Sequence, residues 1–263
     1  MNTFLVALRV EILKACRSKA ILFSFLIFIL FPLACGLFMV ILKDPQAAQS
    51  MGIISMKAQI VAGTAEWSAF FDMLRQVIGM AGYIFFAFIT TWIFGREFSD
   101  RTAKDLLALP TSRASIIGAK FMLTFLWVLG LTLIVFLVGL IVGASVDIPG
   151  WSTGLAAQAF RSLFSIALLS YLLMPFVALF ASLGHGYLPA LGWAFGSFIT
   201  AQIISVLGWG DWLPWSVPAL LSGMFGPQGV SQLGIHSYLL VCMAFSIGVL
   251  ATLSWWQFAD HTH

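Results

Sequence analysis

Six long apolar stretches constrain this 263-residue chain more than any other feature of its sequence. A helix needs roughly 20 apolar residues to cross the hydrocarbon layer of a membrane. The stretches, each close to that length, occupy residues 20–42, 77–94, 121–143, 163–183, 188–207 and 238–256. They lack the alternation of apolar and polar residues that marks the strands of a membrane barrel. We therefore predict an all-α membrane protein with six transmembrane helices and a single transmembrane domain over residues 1–263.

Residues 1–19, which precede the first span, are predicted to form an interfacial amphipathic helix along the inner membrane surface. Its apolar and charged side chains would occupy separate helical faces. The apolar set is Leu5, Leu8, Ile12, Ala15 and Cys16, and the charged set is Glu11, Lys14 and Arg17. The alternative is a positively charged flank that only orients the first span. That span is longer than a signal-peptide core of about 7 to 15 residues, so we predict that it is retained.

The distribution of lysine and arginine predicts the orientation of the spans, because cytoplasmic connections carry an excess of both. With the N-terminus in the cytoplasm, the inside holds nine of these residues and the outside holds four. The inside set is Arg9, Lys14, Arg17, Lys19, Arg96, Arg101, Lys104, Arg113 and Lys120, and the outside set is Lys43, Lys57, Arg75 and Arg161. We therefore predict a multi-pass protein of the cell membrane with both termini in the cytoplasm.

The six predicted spans contain no Asp, Glu, Lys, Arg or His. Proton-coupled pumps and membrane-embedded hydrolases need ionisable groups at depth, so this pattern argues against both classes. The three cysteines and four histidines are not spaced for a disulfide framework or a metal site. The sequence also has no G-x-x-x-x-G-K-[ST] phosphate loop. We expect neither enzymatic activity nor a cofactor in this chain, and any ATP and magnesium would be bound by a partner.

Charge is concentrated in the connection between the second and third spans. Charged residues make up 9% of the chain, yet eight of the 23 lie within residues 95–120. Asp100 can cap a helix over residues 101–109 that Pro110 stops, and Thr111 or Ser112 can cap the next helix. Asp100 and Lys104 stand four residues apart with the acid first, which is the favourable order for a helical pair. The pattern predicts a helix, a turn and a second helix at the membrane surface.

The connection between the fifth and sixth spans contains a shorter apolar run at residues 213–225. Pro214 and Pro218 interrupt this run, which is too short to cross the membrane and suits a re-entrant or interfacial helical segment. Trp209, Trp212 and Trp215 surround its start and are typical of residues at the lipid headgroups. We therefore predict that this segment enters or lies on the outer surface without adding a crossing.

The residues after the second span resemble a known family. The pattern comprises Glu97, Thr102, Leu106, Leu107, Pro110, Ser112 and Arg113. It is similar to the permease subunits of type-2 ATP-binding-cassette exporters, notably the bacitracin-resistance and lantibiotic-immunity group. The N-terminal surface helix, the six spans and the apolar insertion before the last span also resemble that family. The chain departs from the pattern at Arg101, where many members have glycine.

The resemblance implies that two such permeases form a dimer, as identical or paralogous copies, and that each docks on a cytoplasmic ATPase subunit. Residues 95–120 would be the coupling segment, with a coupling helix that fits a groove of the ATPase. The resemblance assigns coupling to Glu97, Thr102, Leu106, Leu107 and Pro110. Helical geometry adds Asp100, Arg101, Lys104 and Asp105 to this set. The alternative is an ordinary cytoplasmic loop without a partner.

These observations favour the membrane-spanning permease subunit of an ATP-driven exporter. The charge-free spans suit an amphipathic or hydrophobic cargo, such as a peptide antibiotic, a drug or a lipid-like molecule, better than a small ion. We expect membrane lipid, a second permease and the ATPase as partners, and no nucleic acid. Two alternatives stay open: a passive channel or secondary transporter, and a non-transporting scaffold subunit of a membrane complex.

Overall fold

Within the part of the chain that the structure describes, six helical stretches are long and apolar enough to cross a membrane. The computed structural model of the chain describes residues 3–43, 65–100, 102 and 112–258, and no strand occurs among them. The helices are α1 (Thr3–Cys16), α2 (Lys19–Lys43), α3 (Trp67–Val77), α4 (Tyr83–Ser99), α5 (Arg113–Ser145), α6 (Thr153–Leu172), α7 (Met174–Leu183), α8 (Tyr187–Val206), α9 (Val217–Leu221), α10 (Gly226–Gln232) and α11 (Ile235–Phe258). The predicted all-α fold with six candidate membrane-spanning helices is confirmed.

Local sequence accounts for where several helices begin or bend. A π-helical turn at Ile78–Gly82 joins α3 to α4, so the second candidate span runs from Trp67 to Ser99. Pro175 lies in the first turn of α7, where its missing N–H costs no helical hydrogen bond, and α6 and α7 together form the fourth candidate span. Ser112 caps α5 by accepting a hydrogen bond from the Ser115 N–H at 3.2 Å. This confirms the cap predicted at Thr111 or Ser112.

The helices pack into a bundle with an aromatic and aliphatic core. Helix α2 lies along α5, and α7 packs against α4, α8 and α11. Phe28 of α2 is fully buried, with its ring centroid 5.2 Å from that of Phe31 and 5.7 Å from that of Phe86. Helix α1 lies beside α5 at the end of the bundle where α2 and α5 begin and α4 ends. That end holds the site described below.

The connection between α8 and α11 folds into short helical pieces. Two 3-10 turns, Gly210–Trp212 and Pro214–Ser216, lead into α9, whose Val217 and Leu220 are fully buried. Helix α9 packs so closely on the π-helical turn that a side-chain carbon at Gly79 would lie 2.7 Å from the Ser222 hydroxyl. The predicted segment at residues 213–225 is therefore a turn followed by a packed short helix. Its re-entrant or interfacial position stays a prediction.

Candidate functional site

Five charged side chains from three helices meet where α1, α4 and α5 come together. Helix α1 contributes Glu11 and Lys14, α4 contributes Arg96 and Glu97, and α5 contributes Lys120. We call these five residues the ion cluster. Glu11 and Glu97 are each 2% exposed, and Lys120 is 0% exposed. Charged groups are buried so completely only when other charges and hydrogen bonds compensate them.

Lys120 provides that compensation for both carboxylates. Its ammonium donates to Glu11 Oε2 at 3.1 Å, to Glu97 Oε1 at 3.0 Å and to the Ile93 carbonyl oxygen at 3.1 Å. An ammonium has three donors, so these contacts use its full capacity. Because Lys120 lies on α5, Glu11 on α1 and Glu97 on α4, this one side chain ties three helices together.

Lys14 forms a second bridge between the same carboxylates from the more exposed side of the cluster. Its ammonium donates to Glu97 Oε1 at 3.0 Å and to Glu11 Oε1 at 3.3 Å. The Arg96 guanidinium lies farther away, 3.7 Å from Glu11 Oε2 and 3.8 Å from Glu97 Oε1. It stacks instead on the Trp92 ring, 4.4 Å from the ring centroid. Three cations thus face two carboxylates, which leaves the cluster with a formal excess of one positive charge.

Glu97 also connects the ion cluster to Thr102, in the segment that joins α4 to α5. The Thr102 hydroxyl donates to Glu97 Oε2 at 2.7 Å, and the Thr102 N–H donates to the Glu97 carbonyl oxygen at 2.9 Å. Hydrogen bonds to an ionised acceptor are about twice as strong as neutral ones. Both oxygens of the Glu97 carboxylate are therefore engaged, one by cations inside the bundle and the other by Thr102.

The other end of the segment that joins α4 to α5 is fixed to the last helix. The Arg113 guanidinium donates from Nη1 to the carbonyl oxygens of Trp256 at 2.9 Å and Gln257 at 3.0 Å, near the C-terminus of α11. Cationic donors are favourable there because the last carbonyls of a helix lack helical partners. The Phe98 ring packs on Trp256 with centroids 5.6 Å apart. Both ends of the segment are thus attached to the bundle.

The structure places some of the predicted coupling residues and not others. Glu97 and Thr102 lie together in the site, as described above. Asp100 is exposed and ends α4, with its N–H donating to the Arg96 carbonyl oxygen at 2.8 Å. Its role as the cap of a following helix stays a prediction. The remaining predicted residues lie outside the described part of the chain: Arg101, Lys104, Asp105, Leu106, Leu107 and Pro110.

The structure corrects the predicted faces of the N-terminal helix. Glu11 was expected on a charged face apart from the apolar residues, but it is buried together with Ala15. Leu5, which is 58% exposed, and Cys16 lie on the outside of the bundle, which is compatible with the apolar face predicted for them, because such a face would contact lipid. The physical reason is that Lys120 and Lys14 offer Glu11 ionic partners in the bundle, so Glu11 faces inward while Arg17 of the same predicted face stays exposed.

Sequence reasoning missed the functional meaning of Glu11, Lys14, Arg96 and Lys120. Arg96 and Lys120 were counted only toward orientation, Lys14 toward orientation and a charged helical face, and Glu11 only toward that face. One signal was available: positive flanks set orientation through lysine and arginine, and acidic residues contribute little to it. Glu11 in such a flank therefore needed a separate explanation, and its partners in the cluster supply one.

The chain is similar to known proteins over most of its length. The family model described as "ABC-2 family transporter protein" matches residues 7–202, which include all five members of the ion cluster. The bacitracin transport permease protein BCRB of Bacillus licheniformis is 29% identical to the chain over 195 residues. That similarity covers 73% of the chain and 91% of the relative. No solved structure matches the chain.

Proposed function

The chain belongs to the ABC-2 family of transporter proteins, as a membrane-spanning permease subunit of an ABC exporter, and from this premise we propose how it works and what it carries. Its cargo is an amphipathic or hydrophobic compound, with peptide antibiotics first among the candidates. A separate cytoplasmic subunit with an ATP-binding cassette binds ATP and magnesium and drives export. The chain itself transmits the motion and takes no part in the chemistry of hydrolysis.

The bonding of Glu97 carries the mechanistic part of this proposal. The ATPase would contact the coupling segment at residues 95–120, and Thr102 in that segment bonds directly to the Glu97 carboxylate. The same carboxylate bonds to Lys120 of α5 and Lys14 of α1. A displacement of the segment would therefore pull on α4, α5 and α1 together. Coupling through such a network needs contiguous contacts, and the ion cluster provides them.

Two observations support the choice of cargo. The relative from Bacillus licheniformis is named for the transport of bacitracin, a peptide antibiotic. The six stretches that the sequence predicts as spans also contain no Asp, Glu, Lys, Arg or His, which favours an apolar or amphipathic molecule over a small ion. The cargo would move through the space between two permeases, which form a dimer in the cell membrane with lipid around them.

The test of this function is antibiotic resistance that depends on both subunits. We expect a sensitive bacterium to tolerate more bacitracin or a related peptide when it makes the permease together with its cassette ATPase. The permease alone should give no protection, nor should the pair when the phosphate-loop lysine of the ATPase is replaced. Minimum inhibitory concentrations measure this outcome. Equal protection by the permease alone would instead support a passive channel or a secondary transporter.

Thiol labelling tests the proposed orientation. In a variant without Cys16, Cys35 and Cys242, we expect a cysteine at Ala62 to react with a membrane-impermeant reagent on intact cells. A cysteine at Ser99, which is exposed at the end of α4, should react only after the cells are opened. The expectation follows from the charge bias of nine inside against four outside. Reversed labelling of the two positions would contradict the assignment of both termini to the cytoplasm.

A further inference from the structure

A cavity of about 380 Å³ lies between α2 and α4, next to the ion cluster. One wall is a stripe on α2 at positions i, i+3, i+4 and i+7, formed by Ala20, Phe23, Ser24 and Ile27. The facing wall has the same spacing on α4 and is formed by Phe85, Phe88, Ile89 and Trp92. Residues at this spacing share one side of a helix. The volume falls within the roughly 300 to 1,000 Å³ that small-molecule sites commonly have.

The walls of the cavity are suited to a hydrocarbon chain. Ser24 is the polar side chain on the α2 wall, and its hydroxyl is already engaged on both sides. It accepts a hydrogen bond from the Trp127 indole nitrogen at 3.0 Å and donates to the Ile21 carbonyl oxygen at 2.8 Å. Phe23 is 59% exposed and Phe88 is 41% exposed, so the cavity opens sideways. In a chain that spans a membrane, that opening faces lipid.

The end of the cavity nearest the ion cluster is positively charged. Trp92 belongs to the wall, and the Arg96 guanidinium lies on its ring, 4.4 Å from the centroid. The contacts of Arg96 to the cluster carboxylates, at 3.7 and 3.8 Å, are longer than hydrogen bonds, and its side chain is 15% exposed. Lys19, which is exposed, directly precedes Ala20 of the opposite wall. Arg96 thus lies against the wall at this end, and Lys19 lies one residue from the opposite wall, beside a cluster with excess positive charge.

We propose that this cavity binds one acyl chain of an anionic phospholipid, with the lipid phosphate at Arg96 and Lys19. Arginine suits the role because its planar fork of donors matches phosphate oxygens. The lipid would bridge α2 and α4 and lie against Trp92, which contacts Arg96 of the ion cluster. The assignment to the inner leaflet rests on the proposed orientation, whereas the preference for an anionic lipid rests only on the cavity and its charges.

The headgroup is tested with the purified permease in nanodiscs that contain equal amounts of phosphatidylglycerol and phosphatidylcholine. Native mass spectrometry after release from the nanodiscs should show retained phosphatidylglycerol in excess over phosphatidylcholine. Each basic residue near an anionic lipid contributes enough binding to change occupancy roughly fivefold, so Arg96→Gln should reduce the excess by about that factor. Arg161→Gln, which removes an exposed arginine on α6, should leave it unchanged. Equal retention of the two lipids by the unmodified protein would overturn the proposal.

The acyl-chain site is tested with two tryptophan substitutions on the same helix. Ile27→Trp fills the cavity and should abolish retention of phosphatidylglycerol, whereas Leu30→Trp, at a position 60% exposed and outside the cavity, should not. If Ile27→Trp does not give a monodisperse protein, Ala20→Leu narrows the mouth and should show the same loss. Equal retention by the cavity and control variants would overturn the proposal.

A different outcome would identify the cavity as an interface between permeases. In that case Ile27→Trp would lower the dimer fraction and leave lipid retention intact, which also contradicts the proposal. These measurements need neither the ATPase nor the cargo, so a failure of lipid binding is distinguishable from a failure of the proposed export function. Reversed thiol labelling would assign the bound lipid to the outer leaflet and would leave the proposal of lipid binding unchanged.

Discussion

Replacement of Lys120 by methionine should abolish transport and lower the free energy of unfolding by about 3 to 5 kcal/mol, the usual cost of removing one partner of a buried ion pair. Lys120 is fully buried and bonds to the carboxylates of both Glu11 and Glu97. Methionine has similar length but no charge, so two buried carboxylates would lose their main partner. Thermal unfolding of the purified permease in detergent, followed by size-exclusion chromatography, measures the loss of stability.

Two further variants separate the buried charge from a general effect of lysine removal. Lys19→Met removes an exposed lysine at the start of α2 and should change stability by no more than about 0.5 kcal/mol. Adding Glu11→Gln to Lys120→Met should recover part of the lost stability, because one of the two buried carboxylates is then replaced by a neutral amide. If Lys120→Met and Lys19→Met unfold at the same temperature, the ion cluster does not stabilise the bundle.

The second large effect is expected from the double variant Leu106→Ala and Leu107→Ala. Both residues lie outside the described part of the chain, within the proposed coupling helix. Truncation of a hot-spot residue at the centre of an interface costs about 2 kcal/mol or more, which corresponds to roughly a thirtyfold loss of affinity. The double variant should therefore detach the ATPase and abolish transport. Co-purification of the tagged permease with the ATPase, with a titration of the complex, measures this loss.

Lys104→Ala is the matched control from the same segment. A charged residue at the rim of an interface, paired in solvent, contributes only about 0 to 1 kcal/mol. The Lys104→Ala variant should therefore retain most of the ATPase binding. The double leucine variant and Lys104→Ala should both insert normally into the membrane, because neither changes any of the six spans. Full ATPase binding and transport by the double leucine variant would return residues 95–120 to an ordinary cytoplasmic loop.

The two large effects distinguish binding from transmission. Lys120→Met leaves the proposed docking residues unchanged, so below its unfolding temperature it should still bind the ATPase while transport is lost. The double leucine variant should lose binding while its thermal stability stays close to that of the unmodified permease. The opposite pattern would mean that the ion cluster forms part of the docking surface and does not transmit motion within the bundle.

The sequence by itself determined the class of fold, because the governing signals are local. A run of about 20 apolar residues satisfies its backbone hydrogen bonds as a helix wherever it lies in the chain, which is why six spans could be predicted without any tertiary information. The cap at Ser112 is also a local hydrogen bond, to Ser115 three residues later. Glu97 and Thr102 were assigned to coupling through a family resemblance, and their mutual bond is a contact over five positions.

Only the tertiary structure decided which residues meet across the bundle. Lys120 and Glu11 are 109 positions apart, and nothing in either segment specifies that α1 turns its carboxylate toward α5. The facing stripes of α2 and α4 were equally hidden, because these helices are apolar on nearly all sides and their periodicity does not reveal which side faces a neighbour. In a membrane, lipid and protein surfaces are similarly apolar, so helix faces are chosen by packing and by buried charge partners. Both depend on residues distant in sequence.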